Sequence, residues 1–152
     1  MSDHTFLGNR ALLDVPKTAF LSSRRISPEK VLACCDWATA QRDAGRCIIS
    51  GFHSDLEKDV LKFLLKGRQP LIVVLARRLY DQMPEEWVEA FNENRLLIVS
   101  TSSAARASES TTRQRNRYIV DHADRVVLGA LTPGGNLASL IATLSPDKIT
   151  LL

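Results

Sequence analysis

Short, nearly continuous runs of Ile, Leu and Val recur at residues 18–21, 47–50, 71–75, 96–100, 125–128 and 148–151, separated by longer segments with helical spacing. That alternation is the pattern of successive βα units, whose strands run parallel and are covered on both faces. It implies an α/β fold of three layers, with a mainly parallel sheet of about six strands and helices on both sides. At 152 residues the chain is the size of one ordinary domain, because either half alone would lack the residues for a core. We expect a single domain over residues 1–152, with residues 1–16 as an N-terminal arm or extra turn. Hydrophobic residues at 45% and charged residues at 24% exclude a disordered chain, a collagen-like repeat and a disulfide scaffold.

Local chemistry marks where helices begin. Ser27-Pro28-Glu29 offers an N-cap followed by proline at the first helical position, and Ser54-Asp55-Leu56-Glu57 is a capping box. The helix from Asp55 gathers Leu56, Val60, Phe63 and Leu64 on one face, and Lys66-Gly67 supplies its stop. A further helix is predicted from Pro84, carrying Trp87, Val88 and Phe91. Residues 100–112 hold eight Ser or Thr and read as a mobile surface loop, a binding lid or an oligomer contact. With the apolar helices, that loop is compatible with a homodimer.

No apolar run approaches the roughly 20 residues that cross a bilayer, and the first ten residues lack the order of a signal peptide. The expected address is the cytoplasm, with no membrane partner. Cys34, Cys35 and Cys47 form no CxxC pair and have no histidine cluster beside them, so neither a metal nor a disulfide framework is expected, and no cofactor is.

Ligands of an open parallel sheet bind beyond the carboxyl ends of its strands. The loops there are Ser22-Ser23-Arg24-Arg25, Ser50-Gly51-Phe52-His53-Ser54, the Ser/Thr stretch and Thr132-Pro133-Gly134-Gly135-Asn136. Glycine lets backbone approach a phosphate, and helix starts after Gly51 and Gly135 would aim N–H groups at an anion, although the same glycines also serve simply to turn the chain. We therefore expect a phosphate or nucleotide site built from Ser22, Ser23, Arg24, Ser50, Gly51, Phe52, His53, Glu57, Gly134, Gly135 and Asn136.

The net charge of +3 proves no partner, but the 20 basic residues comprise 14 Arg, the side chain whose planar fork suits phosphate. Arg113, Arg115, Asn116 and Arg117 form the densest basic cluster, at the start of a predicted helix where cations oppose the macrodipole. That placement suggests an anionic partner or a tertiary acidic one, the second with Arg115 and Arg117 bracing the rim against Asp55, Glu57 or Asp121. Phe52 is the one aromatic obviously on the rim for base stacking, so weak affinity is expected. No catalytic residue is assigned: Ser54 is accounted for as an N-cap, Glu57 by its capping box, and no acid is spaced to orient His53.

Four segments carry a family resemblance. Thr18-Ala19-Phe20-Leu21-Ser22-Ser23-Arg24 resembles the first strand and Gly-Ser-Arg turn of the DNA-processing protein A (DprA/Smf) family, with Ser22 in the glycine position. Ile49-Ser50-Gly51 is similar to its second strand and Ser-Gly turn, Arg115-Asn116-Arg117 to its Arg-Asn-Arg segment, and Gly135-Asn136-Leu137-Ala138 to its Gly-Ser-Leu stretch. The resemblance spans roughly residues 17–145 and implies a Rossmann-like domain that binds single-stranded DNA on a basic surface, for which Arg113, Arg115, Asn116 and Arg117 are the candidates, and that in full-length members helps to load a recombinase. The chain departs from the family at His53-Ser54-Asp55-Leu56-Glu57, where Ala-Arg-Gly-Ile-Asp is usual.

Pro133-Gly134-Gly135-Asn136 also resembles the Pro-Gly-Gly-x-Gly-Thr motif of the "lonely guy" phosphoribohydrolases of the lysine decarboxylase-like superfamily, but Ile141 stands where that motif has its Glu. The expected function is thus DprA-like binding of single-stranded DNA or a nucleotide-like phosphate ligand at the rim, leaning away from an enzyme. The alternatives are a nucleotide sensor without turnover and a phosphoribohydrolase-like enzyme acting on nucleoside monophosphates.

Overall fold

The computed structural model describes residues 4–23 and 26–152. Among these described residues seven strands form one sheet: β1 (Thr5–Gly8), β2 (Lys17–Leu21), β3 (Cys47–Ser50), β4 (Leu71–Leu75), β5 (Leu96–Ser100), β6 (Arg125–Leu128) and β7 (Ile149–Leu151). Their spatial order is β1-β5-β4-β3-β2-β6-β7, and every pairing is parallel except that of β1 with β5. The helices are α1 (Pro28–Ala44), α2 (Asp55–Leu65), α3 (Val88–Asn92), α4 (Glu109–His122) and α5 (Asn136–Ile141).

Successive strand residues point to opposite faces, and the two faces bury different helices. Ile72 and Val74 of β4 join Leu97, Val99 and the α4 and α5 residues Ile119, Val120, Leu137 and Ile141. Leu71, Val73 and Leu75 join Leu96, Ile98 and the residues of α1, α2 and α3 that include Cys34, Val60, Leu64 and Ala90. Because β3, β4 and β5 are buried at every position, they read as unbroken apolar runs.

β2 and β6 are neighbours although three strands and four α-helices intervene in the chain, so the strand order reverses between them. Their carboxyl ends open a crevice at that switch point. The loop after β2 is tied to the loop after β6 there: Ser23 N–H donates to the Ala130 carbonyl at 2.9 Å, and Thr132 N–H donates to Ser23 Oγ at 3.0 Å.

Three expectations are corrected. The N-terminal arm contributes β1, an antiparallel edge strand with Thr5 opposite Ser100 and Gly8 opposite Leu97, followed by a 3-10 turn at Arg10–Asp14 capped by Asn9. Four residues exposed along one side carry too short a pattern to read as a strand. The helix expected from Pro84 is a 3-10 turn, Glu85–Trp87, leading into the five-residue α3. The Ser/Thr stretch is only partly a loop: Ser100 closes β5, and Ser108 caps α4 in a reciprocal pair with Thr111. Among the described residues, no helix is long and apolar enough to cross a membrane.

Candidate functional site

A polar groove with a volume of about 840 Å3 follows the switch-point crevice, lined by Ser23, His53, Ser108, Thr112, Asn116, Thr132, Gly135 and Asn136 among others. It continues past Asn116 and Asn136 into a cleft of about 400 Å3 between α4 and α5, where Arg113 and Arg117 stand. Both arginines are half exposed and held by surface partners. Arg113 lies 3.6 Å from Glu109, while Arg117 pairs with Asp121 at 3.3 Å and donates to Thr143 Oγ1 at 2.9 Å. Such pairs are screened and weak, so they leave either guanidinium available to a phosphate.

Arg115 behaves differently. It points into the fold, 6% exposed, with its guanidinium packed over Gly51 and its charge facing Glu57. A Cβ on Gly51 would lie 2.7 Å from Arg115 Cζ, so any side chain there would have to displace the guanidinium. Among the four residues expected to bind DNA, Arg113, Asn116 and Arg117 thus line the cleft, whereas Arg115 does not and is buried against Gly51, facing Glu57. The macrodipole conflict also disappears: α4 begins at Glu109, and all three arginines lie beyond its first turn.

Glu57 is a second buried charged residue at the rim, 4% exposed. Its carboxylate accepts from the N–H groups of Ser22 at 3.1 Å, His53 at 2.9 Å and Ser54 at 3.3 Å, joining the loop after β2 to the loop after β3. Burial raises the carboxyl above its ordinary range, and the N–H donors and Arg115 oppose that shift. Burial in turn lowers the Arg115 guanidinium, with Glu57 opposing.

This arrangement changes what the second loop can do. The N–H groups after Gly51 that were expected to meet a phosphate are spent on Glu57, and Phe52 N–H donates to Ser50 Oγ at 3.1 Å. Phe52 itself is in the left-handed region at φ 47° and only 4% exposed, so its ring belongs to the core instead of offering a stacking surface. Ser22 and Ser50 are buried too. At the other loop Gly134 takes φ 76°, Gly135 precedes α5 with no side-chain cap, and Asn136 donates to Glu109 Oε1 at 3.2 Å. Arg24 lies outside the described residues.

The chain has no match among curated proteins. A family model described as DNA recombination-mediator protein A matches residues 5–148. The chain belongs to that family. Its fold is similar to that of DNA processing protein A from Helicobacter pylori, described as having a unique single-stranded DNA binding mode, with TM-score 0.73 and 21% identity over 97% of this chain and 70% of that one. DNA processing protein A from Streptococcus pneumoniae gives 0.67 at 17% identity, over 98% of this chain and 62% of that one. The chain therefore spans less than two thirds of the pneumococcal structure. The molybdenum cofactor binding protein of Rippkaea orientalis, at 13% identity and TM-score 0.62, covers 90% of this chain and 75% of its own. At these identities the likeness is one of fold.

Within the recombination-mediator fold, Ser23, His53, Gly135 and Asn136 meet around one groove, as the reading of the rim loops anticipated. Ser108 and Thr112 come from the Ser/Thr stretch, which the sequence marks only as a mobile loop, a lid or an oligomer contact, and Thr132 opens the rim loop that holds Gly134, Gly135 and Asn136. Missed from the sequence were Arg77, Tyr80 and Arg106, which line a neighbouring cavity with Trp87. No short motif marks them, since they come together only when the loops after β4 and β5 meet.

Proposed function

We propose that this chain binds single-stranded DNA along the groove at the carboxyl rim, with the strand's phosphates meeting Arg113 and Arg117. The observation that carries this reading is the continuity of the groove with the arginine-lined cleft, through the shared residues Asn116 and Asn136. The polar groove offers hydroxyl and amide groups of the kind that contact sugar and phosphate without reading sequence. Binding is favoured over hydrolysis because the carboxylates close to the groove are engaged: Glu109 with Arg113 and Asn136, Glu57 with three N–H groups.

Fluorescence anisotropy with a labelled oligonucleotide tests the reading. Affinity should fall as salt rises, with a logarithmic slope of roughly 0.7 per neutralised phosphate, and sequence preference should be weak. Replacing Arg113 and Arg117 together by Ala should flatten that slope by about one to two phosphates. A slope unaffected by the double substitution would remove the cleft from the binding path.

A further inference from the structure

A second cavity adjoins the groove, sharing His53 and Ala107 with it, and differs from it in chemistry. It has a volume of about 550 Å3 and lies over the carboxyl ends of β3 and β4. Its floor is apolar, formed by Leu61, Leu65, Leu75 and Trp87. Tyr80, 40% exposed, also lines it, with the Arg77 guanidinium 4.4 Å above its ring and the Trp87 ring centroid 6.1 Å away at 59°.

The charges around this floor are one-sided. Lys58, Lys62, Arg77 and Arg106 line the cavity, against Glu86 as the acidic lining residue, while Arg115 is matched by Glu57. Among the described residues Lys58 and Arg106 belong to no ion pair, and Lys62 only approaches Asp59 at 3.9 Å. An apolar slot with an aromatic wall suits a flat ring, and the surrounding cations suit an anion attached to that ring. The volume falls within the range of small-molecule sites.

We propose that this cavity takes one nucleobase, stacked at Tyr80, with the adjoining phosphate among Lys58, Lys62 and Arg106. The inference rests on the strand-binding reading when the base belongs to DNA lying in the groove. A free nucleoside monophosphate offers the same chemistry, and the experiment separates the two sources.

Trp87 can report on its own cavity. The chain has two tryptophans, and Trp37 stacks on Phe20 with centroids 5.2 Å apart, so Trp37→Phe keeps an aromatic in place and leaves Trp87 as the single indole. In this background three ligands are titrated: an oligothymidylate, an abasic oligonucleotide of equal length and charge, and adenosine monophosphate. Anisotropy is read in parallel for the two oligonucleotides. We expect the oligothymidylate to change Trp87 emission and to bind roughly tenfold more tightly than the abasic strand, the effect of one stacked base. Tyr80→Ala, a substitution at an exposed position, should bring that ratio close to one.

If adenosine monophosphate alone changes Trp87 emission while the strand binds silently, the cavity is a nucleotide site whose source is the free ligand. If both oligonucleotides bind equally and none of the three ligands affects Trp87, the cavity proposal fails and the groove reading stands. If no oligonucleotide binds but adenosine monophosphate reaches Trp87, the groove reading fails and the cavity proposal stands. Silence from all three ligands with no strand binding overturns both.

Discussion

At the middle of the rim the buried Arg115 packs its guanidinium over Gly51 and faces the charge of the buried Glu57. The guanidinium occupies the space a Cβ on Gly51 would need, so Gly51→Ala must displace a side chain that is itself 6% exposed. We expect a loss of about 1–3 kcal/mol, read as a lower Tm. The Glu57 carboxyl is raised above its ordinary value of 4.5 in the folded state, chiefly by burial. A raised carboxyl means that the folded state holds its proton longer than the unfolded state, so Glu57 makes its largest relative contribution to stability at acid pH. That contribution falls as pH rises from about 4.5 through the folded pKa and is then level. The difference in Tm between wild type and Glu57→Gln should therefore shift against the wild type over this window. A difference that moves in favour of the wild type as pH rises would mean that Arg115 and the three N–H donors outweigh burial.

Helix α4 carries the arginines, and its start determines what they cost. With Ser108 and Thr111 capping each other and Glu109 in the first turn, the N-terminal end is locally favourable. Ser108→Ala should lose about 1 kcal/mol of stability. The double substitution of Arg113 and Arg117, by contrast, should change stability by no more than about 1 kcal/mol, because both pair with half-exposed or exposed carboxylates. A melting curve for each variant separates binding from folding: a large Tm loss in the double variant would show that these arginines hold α4 and α5 together. At this scale the sequence was most informative where burial is complete. β3, β4, β5 and β6 fall on the residues expected, since a strand covered on both faces can be written almost entirely in Ile, Leu and Val. The starts of α1 and α2 were legible from Ser27-Pro28 and the Ser54–Glu57 capping box, because capping depends on neighbours within one turn. β1 and the short α3 were not, since each is defined by what it packs against.

The whole molecule is one sheet with β1 and β7 at its edges, and β1 covers a strand buried at every position. Leu12, in the turn that follows β1, joins the core on the α4 face. Removal of residues 1–14 should therefore expose the edge of β5 and the Leu12 site together, lowering Tm and promoting association by edge pairing. Differential scanning calorimetry and sedimentation test this, and an unchanged melting curve would show β1 to be dispensable. In the intact chain we expect one cooperative unfolding transition.

What the sequence determined by itself is the order of the elements, the parallel arrangement they imply and the loops that would share the rim. These follow from periodicity and capping, which act over a few residues. The tertiary structure decided which face each rim residue presents. Arg115 and Arg117 are two positions apart on one helix, yet the first points down onto Gly51 and the second outward to Asp121 and Thr143. Phe52, expected on the surface, turns into the core, and Tyr80, unremarked in the sequence, lines a cavity beside Arg77. The reason is physical: a residue's exposure is set by segments far away in the chain that close over it, and no spacing within its own loop records their arrival.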